Sequence, residues 1–208
     1  MRKWLAFLCM IALSMASLAG IAEEDGAVGD TRILIAYFSR AQEIYNTDLD
    51  GYSAATPRVN NTELLAQMIR QKTGADLFQI QTEQVYPVDH SENSEIAGRE
   101  KDENARPVLT THVKNMAQYD VVILGYPIWW YTAPMAVRAF LEEYDFAGKC
   151  IAPYATSLGA GIGESIRDIE GLCPNVEVAE GLLITNGSEG CDEAVTQWLT
   201  ELGLYIEE

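Results

Sequence analysis

Two short segments of the chain are almost continuously apolar and rich in β-branched residues: Arg32 to Phe38 (Arg-Ile-Leu-Ile-Ala-Tyr-Phe) and Asp120 to Gly125 (Asp-Val-Val-Ile-Leu-Gly). A strand with one wet face alternates apolar and polar positions, whereas a continuous run suits a strand covered on both faces. Weaker strand-like runs are Asp76 to Ile80, Lys149 to Ala155 and Val176 to Ile184. Between them lie helical stretches: Thr62 to Thr73, with apolar Leu64, Leu65, Met68 and Ile69, then Pro134 to Tyr144, Gly163 to Gly171 and Cys191 to Leu202. Strands and helices taking turns in this way predict βαβ crossovers, and so a parallel sheet with helices on both faces. Met68 and Met116 are expected in its core. Ligand sites in such sheets lie beyond the carboxyl ends of the strands, which directs attention to the loops there.

The 208 residues, 48% hydrophobic and 22% charged, suit one globular core. The first segment stands apart, because Met1-Arg2-Lys3 is followed by an apolar run from Trp4 to Gly20, the pattern of a secretory signal. Small residues fit cleavage at Ser17/Ala19 or at Gly20/Ala22. The expected organisation is a signal peptide over 1–22, a short linker over 23–30 and one domain over 31–208. No Cys follows Leu18-Ala19-Gly20, where a lipoprotein signal needs one, so soluble export to a periplasm or medium is expected, without stable membrane insertion after cleavage. The alternative is a tether by an uncleaved signal, whose length approaches the ~18 to 20 apolar residues that span a bilayer.

The chain carries 31 acidic and 14 basic residues, a net charge of −17, and loss of Arg2 and Lys3 with the signal leaves 31 against 12, or −19. Such a charge excludes nucleic acid as a partner and favours basic ones. Beyond Cys9 only Cys150, Cys173 and Cys191 remain, none in a CxxC arrangement, and the only histidines are His90 and His112. Neither a zinc site nor a Cys/His hydrolase is expected from them. On the predicted topology Cys150 and Cys173 lie at the same end of the sheet and are the one pair that could bridge. His90, in an acidic polar segment, is expected to be solvated rather than catalytic. The glycosylation patterns Asn60-Asn61-Thr62 and Asn186-Gly187-Ser188 are discounted, the first because it falls on a candidate ligand site.

Three loops follow the carboxyl ends of strands. The first runs from Ser39-Arg40 to Asn61-Thr62-Glu63, where a helix begins. Free N–H groups and a positive dipole end can hold a phosphate there, although Asn and Thr are also ordinary helix caps. The second, Tyr126-Pro127-Ile128-Trp129-Trp130-Tyr131-Thr132-Ala133-Pro134, is densely aromatic. Three large rings in a surface loop need a cover, which a planar ligand, the next helix or a dimer contact could supply. The third, Ala155 to Glu164, contains Gly159, Gly161 and Gly163 but lacks the spacing of a dinucleotide fingerprint, and is read as a cradle for a polar ring edge.

A phosphate loop, an aromatic loop and a glycine loop together describe a site for a phosphorylated flat heterocycle. Here the chain resembles the flavodoxin family, in particular its larger flavodoxin-like members. The matching stretches are Ile-Leu-Ile-Ala-Tyr-Phe-Ser (33–39), Asn-Thr-Glu (61–63), Thr-Gly-Ala-Asp-Leu-Phe (73–78), Ala-Arg-Pro (105–107), Gly-Tyr-Pro-Ile-Trp-Trp (125–130) and Thr-Ser-Leu-Gly-Ala-Gly-Ile-Gly (156–163). The resemblance implies an α/β three-layer doubly wound sandwich with a five-stranded parallel sheet in order 2-1-3-4-5, and FMN at the switch point between strands one and three. It further implies that Ser39, Arg40, Asn61 and Thr62 hold the phosphate, that Pro127, Ile128, Trp129, Trp130 and Tyr131 flank the ring, and that Thr156, Ser157, Leu158 and Gly159 meet its pyrimidine edge. The departure from the family is the first loop, where about twenty residues separate Ser39 from Asn61. That insert, 41–59, holds Asn46-Thr47-Asp48-Leu49-Asp50-Gly51, half of a calcium loop, but Pro57 stands where the bidentate Glu belongs, so an acidic turn is expected.

The function so implied is electron transfer through bound FMN, with a basic redox protein as partner, since an acidic surface repels anionic nicotinamide nucleotides and disfavours a reduced, anionic flavin. The alternatives are an NAD(P)H-dependent FMN or quinone oxidoreductase and a flavin-binding module without turnover.

Overall fold

The computed structural model describes residues 31–40, 61–87, 89–185 and 191–206. The expected signal peptide, the linker, the 41–59 insert with its acidic turn, and the Asn186-Gly187-Ser188 pattern lie outside the described residues. Within them are strands β1 (Ile33–Phe38), β2 (Asp76–Ile80), β3 (Val121–Pro127), β4 (Cys150–Ser157), β5 (Glu177–Val178) and β6 (Leu182–Thr185). The helices are α1 (Asn61–Thr73), α2 (His90–Asp102), α3 (Met135–Glu143), α4 (Gly163–Leu172) and α5 (Cys191–Glu201). All pairings between these strands are parallel, in the order β2-β1-β3-β4-β5, with β6 also paired to β4. This is the predicted doubly wound topology.

The continuous apolar runs follow from burial of both sheet faces. Ile33, Ile35 and Tyr37 of β1, with Ile123, Ala152 and Tyr154, pack with Leu65, Ile69, Val195, Trp198 and Leu199 of α1 and α5. Leu34, Ala36 and Phe38, with Val122, Leu124, Tyr126 and Ile151, pack with Val137, Phe140, Leu141 and Ile169 of α3 and α4, and Met116 joins this cluster. Met68 is half-buried against the first cluster. Each large side chain so buried contributes about 1.5–3 kcal/mol, and the shared parallel direction of the strands brings the loops of interest to one end of the sheet.

One expectation is corrected, and two points that the sequence left open are decided. The run Val176 to Ile184 is not one strand. Its first part pairs Ile151 with Val178 and its second pairs Tyr154 with Leu182, so the partner spacing grows by one residue in between, as at a bulge. The break lies beside Pro153, which has no N–H to donate, and at Gly181, where a Cβ would stand 2.9 Å from Ile162 Cδ1. Second, the polar stretch around His90 forms α2. Asp89 caps it by accepting from the Glu92 N–H, and its inward face offers little beyond Asn93, Ile96 and Ala97, so no apolar stripe announces the helix. Third, Cys173 is a buried free thiol and the bridge to Cys150 is not formed, with burial pushing the Cys173 pKa up to about 11. Among the described residues no helix is long and apolar enough to cross a membrane.

Candidate functional site

At the carboxyl end of β1, Ser39 is buried and Arg40 reaches a cleft. Burial pulls the Arg40 pKa below the usual arginine value, against the opposing charge of Asp89. Asn61 opens α1, and Thr62 beside it is fully buried, its hydroxyl 2.9 Å from that of Thr156 in β4. The Thr62 carbonyl accepts a 3.0 Å hydrogen bond from the Tyr154 hydroxyl. Two bonds therefore fasten the first turn of α1 to β4. The Tyr154 ring can lie there only because position 125 has no side chain: a Cβ on Gly125 would fall 2.0 Å from Tyr154 Cζ. Burial, with Tyr37 and Glu63 nearby, raises the Tyr154 pKa well above that of an ordinary phenol, so it stays a donor.

The aromatic loop after β3 closes on itself. The Trp129 N–H donates to the Thr132 carbonyl at 2.9 Å and the Thr132 N–H returns to the Trp129 carbonyl at 3.1 Å. The two residues between them, Trp130 and Tyr131, have φ of 48° and 71°. Positive φ at both central positions is the mark of a type I′ turn, which ordinarily takes Asn and Gly. The rings consequently diverge. Trp129 turns into the core edge-on to Phe38 and Tyr86, with centroids 5.5 and 5.1 Å away. Trp130 lies on α2, where its indole N–H donates to the Ser94 carbonyl at 2.8 Å and its ring would meet a Cβ on Gly98 at 3.1 Å. Tyr131 is 64% exposed.

A polar frame holds this turn. Lys101 of α2 donates to the Trp130 carbonyl at 2.6 Å and pairs with Glu164 at 3.4 Å. The Thr132 hydroxyl donates to Asp168, which also takes Arg138 at 2.5 Å. The Tyr126 hydroxyl donates to Ser165 at 3.0 Å, and burial pushes its pKa up to about 12. In the glycine loop the Ser157 hydroxyl accepts from the N–H groups of Gly159, at 3.1 Å, and Ala160, at 2.8 Å. Those two amides are thus engaged within the loop, while Leu158 stands 83% exposed at its tip.

Between these loops opens a cleft of about 700 Å³. Of the residues named from the sequence, Arg40, Pro127, Ile128, Trp129, Trp130, Tyr131, Thr156, Ser157, Leu158 and Gly159 line it. Ser39 and Thr62 stand behind its wall rather than on it. Sequence reasoning missed the side formed by α2, which contributes His90, Asn93, Ser94 and Ala97. The signal that could have revealed it is Asp89 three residues before Glu92, a capping pattern without an apolar run behind it. His90 is exposed on this wall. Asn93 is 5% exposed, and its side-chain oxygen has no hydrogen-bond partner among the described residues. A cation and aromatic rings lining one cleft fit an anionic, planar ligand.

A doubly wound sheet whose cleft opens at the switch between β1 and β3, walled by an aromatic turn, defines the flavodoxin-like class. A flavodoxin family profile matches residues 49–202, and the chain belongs to that family. None of the curated proteins compared matches it. Among solved structures, a protein of Bacteroides eggerthii provisionally described as a flavoprotein shares 28% identity, with a TM-score of 0.66 over 83% of this chain and 98% of that one. A similarly described protein of Bacteroides uniformis shares 26% identity, with a TM-score of 0.64 over 82% and 98%. A flavoprotein of Lactobacillus acidophilus in complex with FMN has the same fold at 18% identity, with a TM-score of 0.58 over 81% and 98%.

Proposed function

We propose that the protein binds FMN in this cleft and serves as an exported one-domain electron carrier for a basic redox protein. The observation that carries the reading is the convergence of three separate loops, after β1, β3 and β4, on one cleft with a cation at its β1 end. Arg40 is the cleft-lining group suited to the phosphate, as a cation with several N–H donors. Ile128, Trp129 and Tyr131 supply low-dielectric walls for the ring and exclude water from it. Thr156 and Ser157 shape the edge beside β4. Bound FMN supplies transfer of single electrons or of a hydride, and the protein's part is orientation and electrostatics. No side chain in the cleft is assigned as acid or base. The net charge of −17 supports a basic partner and opposes nicotinamide nucleotides.

The test is the absorption spectrum of the purified protein before and after incubation with FMN. Flavin bands that survive gel filtration are expected, and their absence with excess FMN overturns the reading. Rapid bleaching by NADH or NADPH would replace the carrier with an oxidoreductase, whereas slow bleaching by either is the expected outcome.

A further inference from the structure

Behind the aromatic wall of the cleft three rings meet edge to face. Trp129 lies 5.1 Å from Tyr86 and 5.5 Å from Phe38 between ring centroids, and Phe38 lies 5.5 Å from Tyr86. Of the three, Trp129 lines the cleft, and Tyr86, 7% exposed, stands behind it. The Tyr86 hydroxyl donates to Glu100 of α2, with both carboxylate oxygens at 3.1 Å. Burial first, then the charge of Glu100 and its hydrogen bond, raise the Tyr86 pKa well above that of an ordinary phenol, with Thr82 opposing, so the phenol keeps its proton at rest. Glu100 itself is half-buried, within the field of Arg99. Packing does not ask for this pair, since phenylalanine would fill the same slot without drawing a carboxylate out of water. What the hydroxyl and its partner add is a way for the ring to lose an electron and a proton together.

We propose that Trp129, Tyr86 and Glu100 form a proton-coupled electron relay that draws an oxidising equivalent out of the cleft and holds it on a buried tyrosine. A one-electron oxidant in the cleft takes an electron from the Trp129 indole and leaves its radical cation. An electron then passes from the Tyr86 ring to Trp129, which is restored, while the Tyr86 O–H bond breaks and its proton moves to the Glu100 carboxylate. The products are a neutral tyrosyl radical and a protonated Glu100. Because the proton stays within hydrogen-bond reach, an electron returning from the reduced oxidant by the same path brings it back to the phenol, and all three residues are regenerated. Phe38 takes no part, since its ring is far harder to oxidise and has no proton to release. The oxidant, by class, is a light-excited flavin, and on that point alone the relay rests on the FMN reading above.

The test is pulse radiolysis of the full-length protein without flavin, with azide radical as the one-electron oxidant and the tryptophanyl and tyrosyl radicals followed by their separate absorption bands. A first-order phase is expected in which tryptophanyl radical decays as tyrosyl radical grows, at a rate independent of protein concentration and slower in heavy water. Tyr86→Phe, which keeps the ring and its packing, and Trp129→Phe should each remove the same share of that phase, and the double variant no more than either alone. Any remainder belongs to other pairs, such as the exposed neighbours Trp130 and Tyr131. Glu100→Gln keeps an acceptor but a far weaker base, and should slow the Tyr86 share by about tenfold or more. An undiminished phase in Tyr86→Phe overturns the relay, as does an unchanged rate in Glu100→Gln, and these two variants decide should Trp129→Phe fail to fold. A protein that shows the phase yet binds no FMN keeps the relay and loses only the oxidant named for it. Flavin bands without the phase would leave the FMN reading standing and remove the relay.

Discussion

Gly125 and Tyr154 show how one missing side chain sets the position of the first turn of α1. With only 2.0 Å between a notional Cβ and Tyr154 Cζ, Gly125→Ala must drive the ring out of its slot. The expected cost is about 2–3 kcal/mol, partly recovered in Gly125→Ala/Tyr154→Leu, as read from urea unfolding midpoints. Because Tyr154 holds the Thr62 carbonyl, FMN affinity should fall along with stability in the single variant. Glu100 offers a second residue-scale test. Burial raises its pKa above the ordinary 4.5, against a hydrogen bond from Tyr86 and the charge of Arg99. A carboxyl with a raised pKa in the folded state binds its proton more tightly there than in the unfolded chain. Stability is therefore greatest with respect to this group below its unfolded pKa and is lost as pH rises through the folded one. Glu100→Gln keeps an acceptor for Tyr86 and removes the ionisation, so it should raise the melting temperature at pH 7 by on the order of 2 °C. That gain should vanish near pH 4.

Two elements contrast in how openly the chain announces them. The turn from Trp129 to Thr132 was legible as a loop whose rings need a cover, and the described residues supply one for two of them, Trp129 against Phe38 and Tyr86 and Trp130 on α2. Its handedness was not, since nothing in Trp-Trp-Tyr signals two successive positive φ values. Strain of about 1–2 kcal/mol attends a bulky residue there. Tyr131→Gly, at an exposed ring, is expected to stabilise the protein by about 0.5–1 kcal/mol after glycine's own entropic cost, and to weaken FMN binding. Calorimetric melting and a flavin titration on the same sample check both. Helix α2 offered only its capping pattern, because Ile96 and Ala97 are nearly all it buries and the rest of its inward face meets a tryptophan ring and a cleft. The loop after β1 is a middle case. Arg40 reaches the cleft as foreseen, but Thr62 is spent on Thr156, a pairing across 94 residues that no local pattern encodes.

For the whole molecule, the sheet covered on both faces was legible in the continuous apolar runs of strands one and three, whereas the order 2-1-3-4-5 was implied by the resemblance to the flavodoxin family. The acidic surface is a property of the same scale. With a net charge of −17, electron exchange with a basic haem protein should slow at least tenfold between about 10 mM and 0.5 M salt. Rates that ignore ionic strength would remove charge steering from the proposed function. The split fifth strand bears on a different hazard. An unbroken border strand displays a row of unused amide and carbonyl groups that another copy's backbone can zip onto, the first step of many aggregates. Here that border is cut into pieces of two and four residues with an extra residue between them, so an incoming chain would have to change register partway along. Straightening it, by deleting one residue between Ala179 and Gly181, would therefore be felt first as turbidity in concentrated samples.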